Sequence, residues 1–282
     1  MVKENLDLIL LNAGLALHYA DWNWKDVNSP FARIYLVKEG HAKLHLPGAV
    51  FDMSPGYLYL VPPFSLHSYE CDDYYSLYYI HVYEKQTSSI RVLEEYNFPV
   101  KVDATALDVL LVEKLMAINP GRELKRYDPS FYDNSSTLLK TISIDVQNPY
   151  YSIVETKGIL FQLFSRFLVR ATSKLEVTDD RILNALRFIR KNIDKPISID
   201  QLAEICCLSK DHFIRLFKKE MKYTPVQYIN QKKIEKAQLM FTTDNLSVKD
   251  VAYSLSFENI SYFNRLFKRM TGRTPGDYKQ TL

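Results

Sequence analysis

The segment HFIRLFKKEMKYTPVQY, residues 212–228, returns fifty residues later as YFNRLFKRMTGRTPGDY, residues 262–278. Eight of the 17 aligned positions are identical: Phe, Arg, Leu, Phe, Lys, Thr, Pro and Tyr. Upstream the echo continues at an offset of 49, with Leu202-Ala203 against Val251-Ala252 and Leu208 against Phe257. Self-similarity of this kind marks two copies of one supersecondary unit. The fold of the last hundred residues is therefore decided by what a single copy builds.

Each copy opens on a capping signal, Ser198 with Gln201 three residues on and Ser247 with Asp250. Aspartate is shorter than Glu or Gln, so the second box is expected to be the weaker. An apolar helix follows, through Leu202, Ala203, Ile205 and Cys206 in one copy and Val251, Ala252 and Leu255 in the other. After a brief turn, a second helix carries Phe213, Leu216 and Phe217, or Phe263, Leu266 and Phe267, at i, i+3 and i+4. That spacing buries one face. It leaves Lys210, Asp211, Ile214, Arg215 and Lys218 outside in the first copy, and Asn259, Ser261, Tyr262, Arg265 and Lys268 in the second. Thr224-Pro225 and Thr274-Pro275 read as an N-cap followed by Pro at the first helical position, with Gln227 able to complete a box.

Charge agrees with this division. The 282 residues carry a formal net charge of +3, but Arg181–Leu282 holds 19 Lys/Arg against 10 Asp/Glu, a net of +9. Residues 1–180 hold 17 against 23, a net of −6. A basic tail behind an acidic head points to a polyanionic partner for the tail. Two helices joined by a tight turn, with Arg in the exposed middle of the second, fit the helix-turn-helix geometry. The arginine fork matches the two acceptors of a guanine edge, and Ile214 suits a thymine methyl. The base-contact candidates are thus Lys210, Asp211, Ile214, Arg215, Asn259, Ser261, Tyr262 and Arg265. Lys218, Lys219, Lys268 and Arg269, one turn on, are placed for phosphates of double-stranded DNA. A helical bundle with a solvated basic face is the competing reading, and the duplication weighs against it.

Residues 181–279 resemble the AraC-type (AraC/XylS) transcription regulators, most specifically in SLSFENISYFNRLFKRMTGRTPGDYK, residues 254–279. The resemblance implies two helix-turn-helix units joined by a long linking helix, here Pro225–Phe241, with recognition helices at about Lys210–Lys219 and Asn259–Arg269. It also implies RNA polymerase and a second copy of the chain as partners. Two departures stand out. The family usually has Gly in each turn, where this chain has Cys207 and Ser256; if those positions need positive φ, each costs on the order of 1 kcal/mol. Asp211 and Glu258 bring negative charge near DNA. Glu258 reads as a helix-start charge, whereas Asp211 is equally a candidate acceptor for cytosine N4.

The N-terminal part has another texture. Short apolar runs (Phe31–Val37, Tyr57–Pro62, Tyr75–Val82) are punctuated by Lys38-Glu39-Gly40, Leu46-Pro47-Gly48 and Ser54-Pro55-Gly56, which suggests an antiparallel barrel or sandwich. With Arg33–Gly40, then DMSPGYLYLVPP at 52–63 and His67, the outline is similar to the cupin-like effector domains of many AraC-type proteins. The expected fold class is α+β in two domains. Residues 1–175 form a cupin-like barrel (about 1–100) with helices (about 103–171) for effector binding and dimerisation. Residues 181–282 form the all-α DNA-binding domain, and Thr172–Asp180 is the linker. Aromatic faces carrying donors suit flat or sugar-like ligands. The effector-site candidates are Trp22, Trp24, Arg33, Tyr35, His67, Tyr79 and His81, with a small molecule, a carbohydrate among the choices, as the effector. Leu107, Leu110, Leu111, Lys114 and Leu115 fit one helical face, and Leu160, Phe161, Phe164, Phe167 and Leu168 form one stripe of a second helix over 153–171. Phe161, Phe164 and Leu168 are candidates for a dimer interface or for packing on the barrel.

His41, His45, His67 and His81 raise the alternative of a cupin-type metal enzyme fused to a DNA reader. The enzymatic His-x-His arrangement with a Glu soon after is missing, since Leu44 precedes His45 and the next Glu is Glu70. No catalytic residue, metal or cofactor is therefore assigned. Cys71, Cys206 and Cys207 form neither a disulfide framework nor a metal spacing. Leu6–Ala20 is interrupted by Asp7, Asn12 and His18 and reads as a strand rather than an export signal. No stretch approaches the length of a membrane helix, and the expected location is cytoplasmic.

Overall fold

The computed structural model describes residues 6–85, 92–133, 148–173, 177, 179–243 and 246–280. Part of the helical region expected over 103–171 and most of the expected linker lie outside those residues. The chain divides into two compact units, with the break between Thr172 and Ser173.

The first unit is built on antiparallel strands β1 (Leu8–Tyr19), β2 (Ala32–Gly40), β3 (Ala42–Leu46), β4 (Ala49–Met53), β5 (Tyr57–Val61), β6 (Ser68–Glu70), β7 (Tyr74–Glu84) and β8 (Lys101–Asp103). One sheet has the order β1-β7-β2-β5-β8, and a smaller one has the order β4-β3-β6. The larger sheet is buried on both faces, which is why its strands read as continuous apolar runs rather than alternating ones. Along β2, Ile34 and Leu36 join a core with the helices, while Tyr35 and Val37 join the core between the sheets. The same alternation runs along β5, with Leu58 and Leu60 against Tyr59 and Val61, and along β7, with Tyr78 and Ile80 against Leu77 and Tyr79. Gly40 closes β2 at φ +75°, and a Cβ there would lie 2.0 Å from the Tyr74 carbonyl oxygen. Only glycine fits that close approach.

Helices α1 (Val92–Glu95), α2 (Ala106–Ile118), α3 (Pro129–Tyr132) and α4 (Tyr150–Leu168) complete the unit. The apolar face of α2 is only partly the expected one: Leu115 is buried and Leu111 packs against the core, but Leu107 and Leu110 do not. Leu107 and Leu110 are 57% and 62% exposed, and the buried positions are Asp108, Val112 and Leu115. Asp108 turns inward because its carboxylate closes a capping box with Thr105 and faces Arg166 at 3.5 Å. On α4, Leu160, Phe164 and Phe167 pack into the barrel-side core, which removes Phe164 from the candidate dimer surface, while Phe161 and Leu168 stay partly exposed.

The second unit is all helix: α5 (Asp180–Lys191), α6 (Ile199–Ile205), α7 (Lys210–Met221), α8 (Pro225–Thr243), α9 (Val248–Ser254), α10 (Ile260–Thr271) and α11 (Pro275–Gln280). The repeat is visible as α6-turn-α7 and α9-turn-α10, joined by α8. The order of cap strength is the reverse of the expected one. Ser247 and Asp250 form a complete reciprocal box, whereas Ser198 accepts from the Gln201 amide without a return bond. Both turns take the positive φ that their missing glycines implied, Cys207 at 53° and Ser256 at 55°. Each is pinned by matching bonds: Cys207 N to Glu204 O and Leu208 N to Ala203 O, then Ser256 N to Tyr253 O and Phe257 N to Ala252 O. Between the hinge and the following helix lie Leu208 and Ser209 in the first unit but Phe257, Glu258 and Asn259 in the second. The extra residue accounts for the change of repeat offset from 49 to 50.

Helices α7 and α10 also end differently. Gly272 terminates α10 at φ +79°, while Lys222 adopts φ +63° to terminate α7. A left-handed C-cap favours glycine, and the Cβ of Lys222 makes the same bend costly. Lys222→Gly is expected to raise the stability of the first unit by about 1 kcal/mol, read as an upward shift of its thermal unfolding midpoint.

Candidate nucleic-acid interface and effector cluster

The two helix-turn-helix units have separate cores. Phe213, Phe217 and Met221 pack with Ile182, Leu186 and Ile189 of α5 and with Leu202 of α6. Phe263, Leu266 and Phe267 pack with Ile234, Ala237 and Phe241 of α8, and with Val251 and Leu255. Burying these faces fixes what faces outward. Arg215 and Arg265 are exposed at equivalent points of α7 and α10, and neither has a hydrogen-bond or ion-pair partner among the described residues. Lys218, Lys219, Lys268 and Arg269 are exposed in the last turns of the same helices.

The remaining candidates are less free. Lys210 Nζ pairs with Asp200 at 3.0 Å, an exposed contact that costs little to break. Asp211 lies in the first turn of α7, where its charge complements the helix dipole. Ile214 is half-buried against the first core. Ser261 is exposed, while Asn259 caps α10, its side-chain oxygen accepting from the Tyr262 amide at 2.9 Å. The Tyr262 hydroxyl receives a hydrogen bond at 3.0 Å from Asn230 of α8. The linking helix extends to Thr243, two residues beyond the expected end.

In the first unit, strand pairing assembles a polar cluster inside the barrel. Arg33 on β2 sits directly opposite His81 on β7, and Tyr35 opposite Tyr79. The Tyr35 hydroxyl meets that of Tyr69 on β6 at 2.6 Å. Arg33 is 1% exposed, and its guanidinium carbon lies 4.7 Å from the centre of the Phe31 ring and 5.8 Å from that of Tyr132. Asp133, just after α3, brings an oxygen within 3.7 Å of Arg33 Nη2 and accepts a hydrogen bond from Ser29. Arg33 Nε and Nη2 nevertheless make no hydrogen bond among the described residues.

The two histidines are neutral. Burial, with Arg33 nearby, pulls His67 down to about 3, and burial pulls His81 well below its ordinary value, with Arg33 adding to the effect. His67 Nδ1 lies 2.7 Å from the Ser65 carbonyl, which can only accept, so that nitrogen carries the proton. Nε2 is then an acceptor, and it has no partner among the described residues. His81 Nδ1 is likewise unpartnered, with its ring stacked 5.0 Å from Tyr132.

Of the seven effector candidates, Arg33, Tyr35, His67 and His81 come together here. Trp22 is buried nearby, stacked on Tyr69 at 4.0 Å, and Trp24 packs at the edge of the same core with a buried, unpartnered Nε1. The Tyr79 hydroxyl is occupied, accepting from the Leu124 amide at 2.6 Å. Tyr132 and Asp133 were not foreseen; the Asp128-Pro129 break beside them reads in sequence only as a stop. His45 lies apart, on Glu70 at 3.1 Å. Among the described residues no group of three His, Cys, Asp or Glu side chains is arranged to hold a metal ion, and no helix is long and apolar enough to cross a membrane.

The architecture is that of two domains, a β-rich unit enclosing a polar cluster and a helical unit built on two helix-turn-helix motifs. Comparison with known proteins agrees. Residues 5–110 match the model of the AraC-like ligand binding domain, and residues 202–281 match a helix-turn-helix domain model. In both of its domains the chain is thus similar to the AraC-type regulators. It is 36% identical over 93 residues to the bifunctional transcriptional activator/DNA repair enzyme AdaA of Bacillus subtilis, covering 33% of this chain and 44% of that protein. It is 27% identical over 110 residues to the xylose operon regulatory protein of Escherichia coli, covering 39% and 28%. With the arabinose operon regulatory protein of Salmonella typhimurium it shares 25% over 131 residues, covering 46% and 47%. The matched region thus spans less than half the length of these relatives. The fatty-acid-bound ToxT structure from Vibrio cholerae aligns with 100% of this chain and 98% of its own at 15% identity; its TM-score of 0.49 carries no argument about the ligand.

Proposed function

We propose that the protein is a sequence-specific transcription regulator whose DNA reading is controlled by a small effector bound in the barrel, and that it is not an enzyme. The observation that carries the DNA reading is the pair of unpartnered arginines, Arg215 and Arg265, at equivalent positions of a duplicated helix-turn-helix. Bidentate contact with guanine would give each a role at one base position. The site is first recovered by selection from a random duplex library with the full-length protein. Arg215→Ala and Arg265→Ala are each expected to cost about 1–3 kcal/mol and to relax specificity at one position. Lys219→Ala should weaken all sequences alike and flatten the salt dependence. Identical behaviour of the two classes in binding titrations would refute the assignment of base and phosphate contacts.

The effector is inferred to be rich in hydroxyl groups, a sugar or related polyol. His67 Nε2 needs a donor and Arg33 needs acceptors, and a hydroxyl group is both. The surrounding Trp22, Tyr35 and Tyr69 rings offer apolar faces, and two relatives take their names from xylose and arabinose operons. A thermal-shift screen of monosaccharides, polyols and small carboxylates tests this. Stabilisation by a sugar or polyol that disappears in His67→Phe supports it, whereas stabilisation by the carboxylates alone contradicts it.

The same reading has the chain acting as a homodimer in the cytoplasm and engaging RNA polymerase. Leu107, Leu110, Val154, Phe161 and Leu168, exposed on α2 and α4, suit pairing with a second copy. Sedimentation of Leu110→Glu against the wild type checks the dimer.

A further inference from the structure

The two reading units are not held together by the linking helix alone. Ser256, the strained hinge of the second turn, donates its hydroxyl to the carbonyl of Asp194 at 2.6 Å, 62 residues away, in the segment that follows α5. Its twin in the first unit, Cys207, occupies the same left-handed conformation but points its side chain to solvent with no such contact. Two residues of α8 reach the same region. Lys233 is buried, with Nζ 5.3 Å from the centre of the Phe257 ring. Asn230 donates to the Tyr262 hydroxyl at 3.0 Å. Around these contacts an open groove of about 390 Å³ separates Ile197, Ile199 and Val226 from Phe257 and Tyr262. A few polar bonds, rather than a continuous apolar interface, bridge this gap.

We infer that Ser256 is a positioning residue: its hydroxyl, with Lys233 and Asn230, latches the second reading unit to the first and fixes the separation of α7 and α10. Serine is strained at this hinge, and a glycine would relieve the strain, but glycine has no hydroxyl to span the gap. Fixed separation matters because two recognition helices on one duplex must meet major-groove segments about one helical turn apart. The latch would then make the protein select the spacing of its two half-sites as well as their bases. That functional consequence rests on the DNA reading above; the latch itself does not.

Two measurements on the full-length protein separate the latch from its consequence. Spin labels are attached through Glu204→Cys and Tyr253→Cys, exposed and equivalent positions of α6 and α9, in a Cys207→Ser background; Cys71 and Cys206 are buried. Without DNA, the distance distribution should be narrow, and Ser256→Gly should broaden it at least twofold. Cys207→Gly, which relieves the twin hinge and touches no latch bond, should leave it narrow. Asn230→Ala should broaden it in the same direction as Ser256→Gly. Unchanged width in Ser256→Gly, or equal broadening in Cys207→Gly, overturns the latch. On the selected duplex, moving the half-sites apart by one base pair should weaken the wild type at least tenfold and Ser256→Gly by less than threefold, with similar affinity at the original spacing. Broadening without a change in this ratio would overturn spacing selection and leave the latch standing. Failure to bind any duplex would refute the DNA reading and, with it, spacing selection.

Discussion

Asp133→Asn is expected to destabilise the barrel unit by about 3–5 kcal/mol, the usual result of removing one member of a buried ion pair. Arg33 is fully enclosed and cannot shed its proton, so burial cannot be relieved by neutralisation. Among the described residues, the other groups around it are neutral: His67 and His81 lack charge because burial pulls both down, and Tyr35 and Tyr69 are held protonated because burial pushes them up. The asparagine keeps the shape and can still accept from Ser29, so the loss isolates the charge. Arg33→Met in combination with Asp133→Asn should recover most of the stability, because an apolar group of similar length has no need of a counter-ion. Urea midpoints of the two single variants and the double variant measure this as a coupling energy. A single variant as stable as wild type would show that Arg33 does not depend on Asp133.

Phe267→Ala should cost about 3–5 kcal/mol, the range for deleting a buried aromatic ring, and the loss should be confined to one reading unit. Phe267 lies in the second core with Phe241, Phe263 and Tyr278, and Phe217 lies in the first with Phe213 and Tyr228; no residue belongs to both. The expected signature is loss of amide-exchange protection in α9, α10 and α11, with α5, α6 and α7 still protected. Phe217→Ala should give the mirror pattern. Loss of protection in both halves from either substitution would show that the units unfold as one.

The reading units were legible in the sequence because their determinants are local: three-residue capping spacings, Phe at i and i+4, and threonine-proline helix starts. The duplication supplied a second copy of each signal. What the sequence left open involved side chains used across larger separations. Ser247 and Asp250 close their box because the short carboxylate still accepts from the Ser247 backbone amide at 3.3 Å while the Ser247 hydroxyl oxygen accepts from the Asp250 amide at 3.1 Å, a matter of geometry that residue size ranked the other way. The helix α2 was read by its leucines, yet the Asp108 cap and the ion pair with Arg166 rotate Leu107 and Leu110 outward. In the barrel, strand parity is enough to put Arg33, Tyr35, Tyr79 and His81 on one face, since they alternate along paired strands. Asp133 came from a different chain segment a hundred residues away, and nothing local to it announces a partner for Arg33.

The second turn is longer than the first by one residue, and both retain the left-handed hinge and a capping residue before the next helix. An insertion inside a helix would rotate everything after it by about 100°, whereas here the loop absorbs it and the Phe pattern stays in phase. The modules of this protein are therefore interchangeable only in certain pieces. A chimera that moves residues 260–272 into the first unit without their own turn would present α10 from the wrong anchor, while a cut before Ser247 carries hinge, loop and helix as one part.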